Sequence, residues 1–134
     1  MIMTSHSTTL VSKIGIKHIN LLYENQHMLY NYPLSTATLT NEEADYLEKY
    51  LDVTKSQLFF AKGIIFVEGI SEAILVPEFA KIIDRPLDMY AVELVNINGV
   101  GFSPFAKMIK APDQNSGFAK ASIITDDDRC ANKE

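Results

Sequence analysis

In the segment Ile64-Ile65-Phe66-Val67-Glu68-Gly69-Ile70-Ser71-Glu72, four consecutive apolar residues run straight into a glutamate, a glycine and a second glutamate. An unbroken apolar run of that length, entered from the breaker Gly63, predicts a strand covered on both faces. Gly69 permits a sharp turn. A helix then opens at Ile70 or Ser71 and runs to about Ile83, with Pro77 inside it predicting a kink or an irregular first turn. Its apolar residues Ala73, Ile74, Leu75, Val76, Phe79, Ile82 and Ile83 read as core.

Downstream the alternation repeats. Ala91 to Ile97 reads as a second strand and Asn98-Gly99-Val100-Gly101 as a turn. Ser103-Pro104 starts a helix with proline at its first position, and that helix reaches about Lys110. Residues 111–117 form a loop, and Ala119 to Thr125 is a third strand ending in Asp126-Asp127-Asp128. Strand, helix, strand, helix, strand at this spacing predicts βαβ units and a parallel sheet. If the strands followed one another in simple order, right-handed crossovers would put both helices on one face.

Upstream, residues 1–32 read as short strands and turns. His18 to Tyr23 and Met28 to Tyr30 suggest a hairpin that turns at Asn25 and Gln26, and a polar connector runs from Tyr32-Pro33 to Leu39. Thr40 with Glu43 forms a capping-box signature for a helix through Leu47 and Leu51. Thr54 with Gln57 repeats it for a second helical segment over 55–61.

The composition, 47% hydrophobic and 22% charged over 134 residues, is that of one ordinary soluble domain. No apolar stretch approaches the roughly 20 residues of a membrane helix, and the N-terminus lacks the layout of a secretory signal. Cys130 is the single cysteine, so no internal disulfide or thiolate metal site is available. These features point to a reducing cytoplasm and to no membrane partner. The net charge of −5, with no basic run, is unusual for a chain that would bind nucleic acid unaided.

The acidic residues are better ordered than the charge total suggests. Glu68 follows the first strand of the parallel unit, and Asp126 and Asp128 follow the third. Both sets therefore fall at the carboxyl edge, where open α/β sheets keep their sites. Glu72 stands on the first helical turn, four residues after Glu68, pointing back toward the strand ends. Carboxylates a few ångströms apart repel unless a proton or a cation intervenes. Mg²⁺ resolves the conflict with oxygen ligands, and two such ions suit phosphodiester hydrolysis. In an extended Asp-x-Asp both side chains fall on one side. The plainer reading is that an acidic triplet is a solvated turn and that a glutamate after a strand serves the helix dipole.

Taken together, Val67-Glu68-Gly69-Ile70-Ser71-Glu72, Asn96-Ile97-Asn98-Gly99-Val100 and Ile124-Thr125-Asp126-Asp127-Asp128-Arg129 resemble the Toprim domain of the overcoming-lysogenization-defect (OLD) family nucleases. Those proteins join an ABC-type ATPase to a C-terminal Toprim nuclease. Met3-Thr4-Ser5-His6-Ser7 is similar to the last strand and switch histidine of the ATPase head. The resemblance implies a Toprim-like (Rossmann-like) parallel sheet flanked by helices, incomplete and preceded by a short β/helical segment. Residues 1–39 would be the ATPase remnant and connector, 40–61 a helical linker and 62–134 a truncated Toprim domain.

By the same resemblance Glu68, Glu72, Asp126 and Asp128 ligate Mg²⁺, with Mn²⁺ as a substitute and two ions in the complete protein. Glu68, Asp126 and Asp128 are catalytic, Asp127 points away, Gly99 turns the backbone near the site, and His6 senses the nucleotide. The implied partners are DNA and further copies of the chain joined through the ATPase. The family's Walker A, signature and Walker B segments, and its downstream strand with an acidic residue and a lysine, are not in this sequence. ATP binding would come only from an upstream region, and the chain is expected to be a piece of a longer protein.

Two other functions compete. One is an Asp-x-Asp phosphatase with Asp126 as nucleophile and Asp128 as acid, although Arg129-Cys130 follow where that motif has an apolar residue and a threonine, and Glu68 and Glu72 are left without a task. The other is a non-catalytic metal-binding or interaction module. Lys107, Lys110 and Arg129 are candidate phosphate contacts, weighed against solvated surface charge. His18, His27 and the tyrosines at 23, 30, 32, 46 and 50 read as structural, and Cys130 as an inert thiol.

Overall fold

The computed structural model of the protein describes residues 2–51, 55–99, 101–110 and 117–126. The most apolar strand takes the middle of the sheet. β3 (Gly63–Val67) lies between β4 (Val92–Asn96) and β5 (Lys120–Ile124), all parallel, in the order β4-β3-β5. Ile64, Phe66 and Val67 are each at most 1% exposed, which an outer strand could not provide. Because the chain returns to the two sides of β3 in turn, the strands do not run in simple order. Right-handed crossovers then put the two helices on opposite faces.

α3 (Ile70–Ile82) packs on β3 and β4 over the face of Val67 and Leu94, where Ala73 and Pro77 border a cavity shared with β4. α4 (Ser103–Ile109) covers the other face, with the Phe105 ring 5.3 Å from that of Phe66. Pro104 is its second residue, one place later than expected, because Phe102 rather than Ser103 is the cap.

α3 corrects the sequence reading. Its apolar residues are not all core: Ile74 is 61%, Phe79 58% and Ile82 76% exposed. Apolar residues stand on every side of the helix, broken by the exposed Glu78–Lys81 ion pair, but it packs on β3 and β4 along one side only, through residues such as Ala80. Among the described residues nothing covers the outer side.

The N-terminal part adds to the α4 face of the sheet. Residues 2–6 form no strand, contrary to the reading of Met3–Ser7, and α1 (Thr8–Val11) follows with Ser7 as its cap. β1 (Asn20–Asn25) and β2 (Met28–Pro33) pair antiparallel. Their turn is centred on Gln26 and His27, at φ 49° and 62°, one residue later than expected. The strand also extends past the predicted start of the connector, because Tyr32 is core. Its hydroxyl lies 3.1 and 3.2 Å from the carbonyls of Met108 and Lys110, tying the hairpin to the end of α4.

α2 (Asn41–Tyr50) has the expected capping box. Glu43 N–H donates to Thr40 Oγ1 at 3.2 Å, and Thr40 N–H donates to Glu43 Oε2 at 2.9 Å. The following helical segment is a 3₁₀ helix, Lys55–Phe60; its expected cap, Thr54, lies outside the described residues. One apolar core joins Ile16, Leu34, Leu47, Leu58, Phe66 and Phe105.

This arrangement separates two apolar residues that the sequence treats alike. Phe105→Ala should lower the unfolding free energy by about 3–5 kcal/mol, whereas Ile82→Ser should change it by no more than about 0.5 kcal/mol, both measured by urea denaturation. A pH effect follows from Glu93, which sits level with Ile64 on the core face of β4; burial pushes its carboxyl above the usual range. The folded state holds that proton more tightly than the unfolded chain. Stability therefore falls as pH rises from the ordinary carboxylate value through the raised one. Glu93→Gln should melt higher than the unmodified protein at neutral pH, and the gain should vanish in acid.

Candidate metal centre

Parallel pairing decides which acidic residues share an edge. Val67 is level with Asn96 on one side and Ile124 on the other. Glu68 therefore leaves the carboxyl end of β3 beside the end of β5, and Asp126 lies two residues beyond β5 on the same edge. Glu68 is partly buried and Asp126 exposed.

Glu72 occupies the third position of α3. Its Oε2 accepts from the Gly69 N–H at 3.1 Å, which folds the carboxylate back over the strand-to-helix turn. Gly69 is in ordinary extended backbone, so its value here is space: a Cβ would lie 2.9 Å from that same oxygen.

The turn after β4 closes on this edge. Asn98 and Gly99 have φ 52° and 73°, a left-handed pair suited to Asn-Gly. Gly99 N–H donates to the Glu68 carbonyl at 3.0 Å, which gives Gly99 the close approach expected of it.

The donors available at the edge are hard carboxylate oxygens, which suit Mg²⁺ or Mn²⁺. Among the described residues no three acidic, histidine or cysteine side chains gather around one point. Asp128, the fourth expected ligand, lies outside the described residues, as do Asp127, Arg129 and Cys130.

Other expected site residues stand elsewhere. The His6 ring packs 5.9 Å from that of Phe60, which precedes β3 and so lies toward the opposite edge from Glu68. Lys107 is committed to an ion pair, with Nζ 2.6 Å from Glu43 Oε1. Its hydrogen bond, followed by that from Thr40 N–H, holds the Glu43 carboxyl below its usual range. α4 starts after the β4 turn and runs back toward the amino edge, carrying Lys107 and Lys110 away from the acidic residues.

The family model of the overcoming lysogenization defect protein-like TOPRIM domain matches residues 59–128, just over half of the chain. The chain belongs to the OLD-like TOPRIM family. The matched stretch takes in Glu68, Glu72, Asp126, Asp128 and the Gly99 turn. A solved structure of the C-terminal region of the Xanthomonas campestris pv. campestris OLD protein is 35% identical over 55% of this chain, with a TM-score of 0.48. The match covers 34% of that structure's own chain, so this OLD-like chain spans about a third of its length. No curated protein matches the chain. Among the described residues no helix is long and apolar enough to cross a membrane.

Sequence reasoning read Tyr50 only as a structural tyrosine and Asn96 only as part of the glycine-turn motif, and it did not pair the two, whose contacts support the Gly99 turn. An aromatic at a helix end and an asparagine at a strand end carry no signal until the two elements meet.

Glu72 can be both a helix cap and a metal ligand, and the two roles separate experimentally. Glu72→Gln keeps an acceptor for Gly69 N–H and should retain the melting temperature while losing affinity for Mn²⁺. Glu72→Ala should lose both, with a stability cost of about 0.5–1 kcal/mol. Calorimetric metal titration and thermal unfolding read the two effects.

Proposed function

We propose that this Toprim domain is the metal-dependent DNA endonuclease module of an ATP-regulated OLD-type nuclease, hydrolysing phosphodiester bonds. The observation that carries the reading is the shared carboxyl edge of β3 and β5, where Glu68-Gly69-x-x-Glu72 and Asp126 follow the strands inside the family-matched stretch.

Glu68, Glu72, Asp126 and Asp128 would hold Mg²⁺, or Mn²⁺ in its place, with two ions in the complete protein. Bound divalent ions supply activation of a water and charge stabilisation on the leaving oxygen. The chain's own part is orientation. The Gly69 N–H holds the Glu72 carboxylate over the strand-to-helix turn. The Gly99 N–H fixes the main chain of Glu68. Asp126 stands just beyond β5 on that edge, and the Asp-x-Asp spacing is the sequence ground for pairing Asp128 with it. The acidic edge repels the DNA backbone until cations neutralise it, so substrate binding and metal binding are coupled.

In this reading residues 1–39 are the tail of an ATPase head and 40–61 the linker to the nuclease domain at 62–134. His6 belongs to nucleotide sensing, and ATP binding and oligomer formation reside in the ATPase of a cytoplasmic parent protein.

The test is Glu68→Gln and Asp126→Asn in the complete protein, scored by nicking of supercoiled plasmid in Mg²⁺ and by metal titration. Loss of a group that merely orients a ligand costs about 10–100-fold, so loss of a ligand should cost more than about 100-fold. Chelation should abolish cleavage, and added Mg²⁺ should restore it. Cleavage at the normal rate by either variant refutes the assignment.

A further inference from the structure

We propose that Tyr50 is a positioning residue for the acidic edge: its hydroxyl holds the turn after β4, and that turn holds the backbone of Glu68. The inference rests on the metal-binding reading above. Tyr50 is the last residue of α2, and its hydroxyl donates to the main-chain carbonyl of Asn96, the last residue of β4. From Asn96 the chain closes over the end of β3 by two hydrogen bonds, with a third inside the turn. Ile97 N–H donates to the Val67 carbonyl at 3.0 Å, Asn98 N–H to Asn96 Oδ1 at 2.8 Å, and Gly99 N–H to the Glu68 carbonyl at 3.0 Å. The carbonyls on both sides of the Glu68 α-carbon are thus held by one turn. The first residue of that turn is held by Tyr50.

Two features make this support directional. The Tyr50 ring is clamped: Phe105 meets it edge-on with centroids 5.0 Å apart, Tyr46 lies 5.9 Å away, and Lys55 Nζ sits 4.4 Å above the ring centre. The hydroxyl therefore has little freedom to follow a drifting turn. The turn itself gains from holding, because Asn98, a non-glycine residue, sits at positive φ. Such backbone persists where its surroundings over-determine it. A metal ligand must be kept within about 0.5 Å of its working position, so slack at Asn96 passes directly to Glu68.

Tyr46 provides the matched control. It belongs to the same ring cluster, and its buried hydroxyl has no hydrogen-bond partner among the described residues. The experiment uses the full 134-residue chain and titrates Mn²⁺ by calorimetry below the melting transition of each variant. Tyr50→Phe should weaken Mn²⁺ binding about three- to tenfold, the loss that one hydrogen bond implies. Tyr46→Phe should leave the affinity unchanged, and Glu68→Gln should abolish binding. A purely structural tyrosine would lower the melting temperature without moving the affinity.

Gly99→Ala approaches the same turn independently. An added Cβ meets nothing within 4 Å but is strained at φ +73°. It should weaken Mn²⁺ binding to a similar degree, and together with Tyr50→Phe by less than the product of the two effects. If Tyr50→Phe does not fold, unchanged affinity in Gly99→Ala overturns the proposal. Unmodified affinity in Tyr50→Phe, with Glu68→Gln still silent, overturns the role of Tyr50 and leaves the metal site standing. If the unmodified chain takes up no Mn²⁺, or Glu68→Gln binds it normally, the metal reading fails and this inference fails with it.

Discussion

Everything at the candidate site depends on the burial of β3 between two parallel neighbours. Ile64, Phe66 and Val67 are almost wholly removed from water, so this strand can occupy only the middle of the sheet. A central parallel strand sends the chain out at the same edge as both partners. Glu68 thereby stands beside the chain leaving β5, although 58 residues of sequence separate it from Asp126. A shift of β5 by one residue would turn its side chains to the other face.

The acidic edge also needs restraint. Carboxylates that share one edge repel one another as they approach, so each must be held by other groups. Here the restraints are main-chain donors. Gly69 N–H takes the Glu72 carboxylate, and Gly99 N–H takes the Glu68 carbonyl. Both glycines earn their place, one through the room it leaves beside Glu72 and the other through its left-handed backbone. The contact from Tyr50 to Asn96 links these restraints to α2, outside the family-matched stretch.

The outer side of α3 shows where pattern reading loses its warrant. A helix that is apolar all round ordinarily lies inside a structure. The sequence of α3 accordingly reads as core, yet the described residues cover one side only, and Ile74, Phe79 and Ile82 face outward. Apolar content reports a tendency to be buried and does not specify what does the burying.

Local signals in the chain were sufficient for the elements themselves. The capping box of Thr40 and Glu43, the apolar run of β3, the glycine turn at Gly69 and the proline start of α4 each depend on neighbours within a few residues, and each stands within a residue of where the sequence put it. The acidic residues and the family likeness were legible for the same reason, because motif and spacing are linear properties. Strand order, the opposite placement of the two helices, the pairing of Lys107 with Glu43 and the hold of Tyr50 on Asn96 were not. These join residues far apart in the chain. Only the burial of β3 on both faces, with the packing it imposes, selects them.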